Sequence, residues 1–235
     1  MLNSKPGDLT GYDCPDCLNR GYFWHIEAND ERWTERCKCM EIRSSLSRIR
    51  KSGLGKMLEE YTFEAFQVQD AWQAKMLTKA REYLNAQEAW LFVSGQPGCG
   101  KTHICTAVVG ELLRRGEAVR YMRWVEDGQA IKYADFEERQ SKIEPLQTCS
   151  VLYIDDFLKN QTGTKVDPRE IKLAFEILNM RYCNRLKTII STEYSTNEIA
   201  QMDEATGSRI IQRSRGYQIN IKREEGRNWR TRSDV

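Results

Sequence analysis

The run Gly95-Gln96-Pro97-Gly98-Cys99-Gly100-Lys101-Thr102 fills a complete G-x-x-x-x-G-K-[ST] pattern, and its residue types are those that a chain of phosphates needs. Glycines let consecutive backbone N–H groups curl around a β-phosphate without Cβ clashes. Lys101 supplies a mobile cation for the β- and γ-oxygens, and the Thr102 hydroxyl is a ligand for Mg²⁺. A helix predicted from Gly100 adds the positive end of its dipole. The candidate nucleotide-binding set is therefore Gly95, Pro97, Gly98, Cys99, Gly100, Lys101, Thr102 and His103.

A second group of residues completes the chemistry that such a loop begins. Val151-Leu152-Tyr153-Ile154-Asp155-Asp156 is an apolar run ending in two carboxylates, at the strand edge where open α/β sheets bind ligands. Asp155 is the candidate Mg²⁺ holder, and Asp156 the group that orients and deprotonates an attacking water, with a capping role as its plainer alternative. Thr188-Ile189-Ile190-Ser191-Thr192-Glu193 ends in polar residues beside it, where Thr192 is the first choice for sensing a γ-phosphate and Glu193 the second. Further on, Arg209 and Arg213 in Gly207-Ser208-Arg209-Ile210-Ile211-Gln212-Arg213 share one helical face at i,i+4. In an oligomer one of them can reach a neighbour's γ-phosphate as an arginine finger; otherwise they mark a solvated basic helix.

The third group is made of cysteines. Cys14-Pro15-Asp16-Cys17 is followed, after nineteen residues, by Cys37-Lys38-Cys39, and four thiolates from two such turns can converge on a tetrahedral Zn²⁺. Cys-x-Cys is a tight spacing, so His25 is an alternative ligand. About 36 residues around these cysteines bury too little apolar surface to fold well alone, which gives the metal a structural role. Tyr22, Phe23 and Trp24 read as the packed face of a small ribbon, with base stacking or partner docking as the alternative. The remaining cysteines, Cys99, Cys105, Cys149 and Cys183, read as inert small hydrophobes.

Positioning these groups requires a scaffold, and the pattern of the chain describes one. Strands are predicted at Trp90–Ser94, Ala118–Trp124, Val151–Asp155, Thr188–Thr192 and Gln218–Ile221, with helices in the intervals, one of them from His103 to Arg115. Such alternation means an α/β fold with a mostly parallel five-stranded sheet covered on both faces. A helix is expected from Asp70 to Ala86, and a short helix and turn from Arg43 to Lys56. The resulting division is a zinc-binding module over 1–48, a linker over 49–66 and a nucleotide-binding domain over 67–235. The chain has 235 residues and a formal net charge of only +2, so affinity for nucleic acid has to come from local patches. No apolar run approaches a bilayer's thickness and the polar start is unlike a signal peptide, so a soluble cytoplasmic protein is expected, without a membrane partner.

Taken in order, these motifs resemble the DnaC/DnaI-type replicative helicase loaders, a branch of the AAA+ P-loop ATPases that also contains the IstB-like transposition helpers. The resemblance covers nearly the whole chain. Cys14 to Cys39, Lys51-Ser52-Gly53-Leu54 and Tyr61-Thr62-Phe63 resemble the zinc-bearing N-terminal half of loaders from Gram-positive bacteria and their phages, and Asn228-Trp229-Arg230 follows the family order at the other end. The resemblance implies ATP or ADP with Mg²⁺ as ligands, self-association, and binding of single-stranded DNA and of a hexameric DnaB-type helicase gripped by the zinc region. It makes Arg213 the arginine finger, Arg209 a supporting cation and Arg230 a second sensor. By that family pattern Lys132, Tyr133 and Phe136 lie on a helix facing DNA, although a partly buried amphipathic helix explains the same letters; Arg215, Arg223, Arg227 and Arg232 form a further patch. Glu193 replaces a neutral sensor and Asp156 replaces the commoner Glu, which implies slow or conditional hydrolysis. A small-molecule kinase has no obvious use for the paired acids and the arginine box; a third alternative is a binding module in which nucleotide acts only as a switch, without useful turnover.

Overall fold

Trp90, Leu91, Phe92 and Val93 are all fully buried, a continuous apolar run that only a strand covered on both faces can satisfy. The computed structural model describes residues 3–52, 54–159 and 165–231; Gly53 of the predicted turn and Arg232 of the C-terminal patch lie outside them. In chain order the strands are β1 (Tyr22–Ile26), β2 (Arg32–Arg36), β3 (Trp90–Gly95), β4 (Val119–Arg123), β5 (Val151–Phe157), β6 (Lys187–Thr192) and β7 (Gln218–Ile221). The helices are α1 (Cys39–Lys51), α2 (Leu54–Glu60), α3 (Ala71–Tyr83), α4 (Lys101–Arg114), α5 (Trp124–Lys132), α6 (Phe136–Thr148), α7 (Pro168–Cys183), α8 (Thr196–Met202) and α9 (Glu204–Arg213).

The five C-terminal strands form one parallel sheet in the order β4-β5-β6-β3-β7. Alternation along each strand feeds two cores. Leu91, Val93, Tyr153 and Ile189 pack beneath α3 and α4, while Trp90, Phe92, Leu152, Ile154 and Ile190 pack with the residues of α5 to α9. β3 is fourth in that order, between the central β6 and the edge strand β7, so the loop leaving its C-terminal end is flanked by a strand on each side.

Four expectations change at this level. The second strand ends at Arg123, because Trp124 opens α5 and is buried against Phe157. The boundary read at residue 48 falls inside α1, and the stretch read as a connector is packed: Ile49, Leu54, Phe63 and Phe66 belong to the core beneath the sheet. Of the hairpin aromatics, Phe23 packs on the cysteine cluster while Tyr22 is exposed, so the ribbon does not bury its whole aromatic run. Cys183 is exposed at the end of α7, unlike the buried Cys99 and Cys105.

Candidate functional site

The loop after β3 closes around Gly98 and Gly100, both at positive φ (+76° and +88°), a conformation that favours glycine. Gly100 is the left-handed N-cap of α4, so the first N–H groups of that helix are turned toward the loop. Lys101 is buried, and its Nζ donates to the carbonyl oxygens of Gly95 at 2.8 Å and Gln96 at 2.9 Å. Gln96 Oε1 accepts from the backbone N–H of Glu224, and Gly98 O from that of Trp229. The C-terminal segment is thereby tied across the loop.

Asp155, at the end of β5, accepts four hydroxyls. Thr102 Oγ1 donates to Oδ1 at 3.3 Å, Tyr153 donates to the same oxygen at 2.8 Å, Tyr121 reaches Oδ2 at 3.2 Å, and Ser191 completes the set. Burial first, and the Asp155 charge next, push both phenols above their ordinary value, so they remain O–H donors. Thr102 and Asp155 thus stand side by side as a hydroxyl and a carboxylate, the oxygen pair suited to Mg²⁺. The β5–β6 register then breaks between Ile154 and Phe157, and Asp156 takes φ +54°. Its carboxylate accepts from Lys159 Nζ at 2.9 Å, and Glu193 lies 3.7 Å from the same ammonium. Burial opposes the Lys159 charge, but the bond and charge of Asp156, with those of Glu193, outweigh it and raise its pKa.

These groups border one cavity of about 340 Å³, within the range of ligand pockets. Pro97 to His103, Asp156, Lys159, Glu193 and Arg230 line it, together with Tyr61, Phe66 and Trp229. His103 stacks on Tyr61 with ring centroids 4.7 Å apart and donates from Nε2 to Thr62 O at 2.9 Å. Thr192 is not on this wall: it is fully buried, its hydroxyl donating to Phe157 O at 2.8 Å and accepting from the Tyr194 N–H. Glu193, the second choice from the sequence, is the residue that borders the cavity. Tyr121, Tyr153, Ser191 and Lys159 escaped the sequence reading. The tyrosines are adjacent partners across β4 and β5, a relation invisible before the strand order is known.

Arg213 is elsewhere. Its guanidinium donates to Glu88 O, just before β3 begins, so it lies at the opposite end of the strand from the phosphate loop, about 20 Å away at a rise of about 3.3 Å per residue. Arg209 sits 5.3 Å from the ring centroids of both Phe175 and Tyr182. Lys132 is engaged with Glu170 at 2.6 Å and Asp167 at 3.9 Å and is no free cation, whereas Tyr133 and Phe136 are 72% and 81% exposed. Arg227 pairs with Glu224 and covers the Trp72 ring, while Arg215 and Arg223 are exposed.

At the other end of the chain Cys14, Cys17, Cys37 and Cys39 are all buried, with their sulfurs within 4.8 Å of one another. Cys14 and Cys37 are 3.8 Å apart and Cys17 and Cys39 3.5 Å, close to the edge of about 3.8 Å that a tetrahedron with Zn–S bonds of about 2.3 Å requires. The tight Cys-x-Cys pair thus contributes both sulfurs. Burial opposes ionisation of Cys17, but the Gly21 N–H and the neighbouring thiols bring its pKa down to about 7. Arg43 braces the surrounding loop through Thr10 O, Tyr12 O and Asn19 Oδ1, and Asn19 Oδ1 also accepts the Cys14 N–H. His25 is outside the cluster, paired with Glu35 at 2.9 Å and stacked on Trp33.

The chain is similar to several known proteins. The profile of the family described as IstB-like ATP binding protein matches residues 26–229. The chain is similar to the phage-like element PBSX protein XkdC of Bacillus subtilis (strain 168), 28% identical over 235 residues that cover 94% of this chain and 88% of that one. It is similar to the replicative helicase loader DnaC of Escherichia coli (strain K12), 25% identical over 182 residues, 76% of this chain and 71% of that one. Among solved structures, that of DnaI superposes with a TM-score of 0.57 at 18% identity, over 71% of this chain and 92% of the other. With its phosphate loop and paired acids inside a match that spans most of its length, this protein belongs to the IstB-like ATP-binding family and carries the AAA+ fold.

Proposed function

We propose that this chain is an ATPase that loads a hexameric DnaB-type replicative helicase onto single-stranded DNA in the cytoplasm. The observation that carries the reading is the division of the ATP machinery between the two ends of β3. Lys101, Thr102 and Asp156 border the cavity and Asp155 is bonded to Thr102 behind it, while Arg213 lies beyond reach of it, so a second copy of the chain has to supply the arginine. Contacts of that head-to-tail kind build rings or helical filaments, the form in which a loader can follow a hexamer.

In this reading Lys101 binds the β- and γ-oxygens, and Asp156 orients and deprotonates the attacking water. Thr102 and Asp155 would hold Mg²⁺, which supplies charge neutralisation of the phosphate oxygens when bound. Arg230 and Glu193 border the same space and serve as sensors of what fills it. Because Asp156 is engaged by Lys159, hydrolysis is slow until nucleotide and partner rearrange that pair. Tyr133 and Phe136 contact DNA bases; Arg169, 5.7 Å from the Tyr133 ring centroid, is itself paired with Asp167 at 2.9 Å. The zinc module, residues 1–48, grips the helicase, as the resemblance to the helicase loaders implies.

Co-purification with a DnaB-type hexamer in ATP, lost in Lys101→Ala and after zinc chelation, is the expected result. The family also gives a second reading, a transposition helper; capture of a transposase instead of the helicase would establish it and overturn the loader. ATP hydrolysis that rises with single-stranded DNA in the absence of any small-molecule acceptor excludes a kinase.

A further inference from the structure

The β1–β2 hairpin presents two unlike faces. Side chains alternate across a strand, and directly opposed residues share a face. One face therefore carries Phe23, His25, Trp33 and Glu35: Phe23 packs on the cysteine cluster, His25 stacks on Trp33, and Glu35 bonds His25. The other carries Tyr22, Trp24 and Ile26 along β1, opposite Arg36, Thr34 and Arg32 along β2.

That second face is open. Tyr22 is 37% and Ile26 51% exposed, and every residue of β2 is exposed. Tyr22 and Trp24 meet edge to face with centroids 5.7 Å apart, Tyr22 exposed and Trp24 half-buried. No ion pair holds Arg32 or Arg36 among the described residues, and the charged residues of this face are both positive. The acids of the hairpin are elsewhere: Glu35 is on the other face, and Glu27, Asp30 and Glu31 belong to the turn at one end.

We propose that this face is a single-stranded DNA contact separate from the ATPase domain, with Tyr22 and Trp24 stacking on bases and Arg32 and Arg36 taking phosphates. Aromatic rings on an open sheet face, flanked by arginines, form the arrangement that binds unpaired bases without reading their sequence. The charge favours a polyanion, and the edge of β1 is closed to strand addition at Trp24, whose backbone N–H and C=O are both bonded to the Asn3 side chain. A peptide extending the sheet there has nothing to pair with. The face is far in sequence from Tyr133 and Phe136, so a loader built this way holds the strand at two places.

The inference rests on the reading that single-stranded DNA is a ligand of this chain. The test is fluorescence anisotropy of a labelled oligo-dT with the full, zinc-loaded chain at 50 mM to 200 mM salt, a window over which phosphate contacts are titrated. Trp24→Ala is expected to weaken binding at least about fivefold, the lower limit for one stacked base, and Trp24→Phe to restore most of it. Arg32→Glu with Arg36→Glu is expected to flatten the salt dependence by about 1.4 in slope, two phosphates at about 0.7 each. Trp33→Ala, on the other face, leaves binding unchanged. A cobalt-substituted spectrum reports that each variant keeps its four-thiolate site. Wild-type-like binding by the Trp24 and arginine variants overturns the proposal, and loss of helicase capture in those same variants identifies a protein dock instead. Failure of the wild-type chain to bind DNA at all overturns the DNA reading along with it.

Discussion

Gly98→Ala probes how the C-terminal segment closes on the phosphate loop. A Cβ at Gly98 would lie 1.8 Å from Asn228 Oδ1, 2.7 Å from its Cγ and 3.3 Å from its Cα, at a residue with φ +76°. Left-handed backbone costs a non-glycine residue about 1–2 kcal/mol. Moving Asn228 aside also sacrifices its Oδ1 bond to the Arg230 N–H at 3.1 Å and the Trp229 N–H bond to Gly98 O at 3.1 Å, each worth about 1 kcal/mol. Gly98→Ala should therefore cost about 3–4 kcal/mol in the wild-type chain, but only about 1–2 kcal/mol in an Asn228→Ala background, where the side-chain clash is gone and what is left is the backbone strain beside the 3.3 Å approach to the Asn228 Cα. At about 2–4 °C per kcal/mol for a chain of this size, thermal unfolding without nucleotide should fall by about 6–16 °C in the first case and about 2–8 °C in the second. The coupling of about 2 kcal/mol is the measured quantity in this double-mutant cycle. Equal losses in both backgrounds would refute the docking of residues 224–231 on the loop and, with it, a role for Arg230 in the cavity.

Other outcomes follow from the same geometry. Lys101→Ala should abolish binding of a fluorescent ATP analogue, whereas Asp156→Asn should bind normally and lose at least about 100-fold in hydrolysis, the lower range for a positioned base; an unimpaired Asp156→Asn would make nucleotide a switch without turnover. Chelation should release one zinc per chain and expose the segment from Cys14 to Cys39 to protease while the sheet stays folded, because zinc supplies on the order of 10 kcal/mol to small modules of this kind; complete unfolding would show that α1 depends on it throughout. Burial lowers the His103 pKa below 6.5, against the opposing bond to Thr62 O. Between the lowered value and 6.5 the unfolded chain binds more protons, so stability rises with pH and is lost on acidification below about 6.5. His103→Gln should flatten that part of the profile in pH-dependent melts.

β3 and β5 were legible because burial on both faces writes them as apolar runs, whereas β4 and β7 alternate apolar with polar residues; the phosphate loop was legible because its glycines admit few substitutes. Relations between distant segments were less so. Lys132 beside Tyr133 and Phe136 reads as a cation among aromatics, but Glu170 and Asp167, which engage it, come from the entry to α7, more than thirty residues away. Thr192 and Glu193 are both polar exits of β6, and which one borders the cavity depends on the irregular register with β5, where Thr192 pairs with Phe157. The connector read at 49–66 is polar on average, yet Ile49, Leu54, Phe63 and Phe66 are the residues that seal the underside of the sheet. Composition describes a segment, whereas burial is decided by the few side chains that find a partner.

The carboxylate of Asp155 and the ammonium of Lys101 make the last connection. Both are buried and near one another in the chain's α/β core, yet they are not paired: Lys101 is held by two loop carbonyls and Asp155 by four hydroxyls. A direct ion pair would be stable but would have to be broken for each nucleotide bound, and breaking a buried pair is costly. Holding each charge with neutral groups leaves both charges available. Thr102 and Ser191 are short hydroxyls whose hydrogens can turn away, while the buried Tyr153 and the partly buried Tyr121 are held by packing and keep the carboxylate aimed. Removing a tyrosine hydroxyl should thus leave ATP affinity nearly unchanged and alter the preference between Mg²⁺ and the larger Mn²⁺, because the carboxylate's aim, and not its charge, is what Tyr153→Phe changes. An equal loss of affinity for ATP with either metal would mean that the hydroxyls stabilise the fold and do not orient the site.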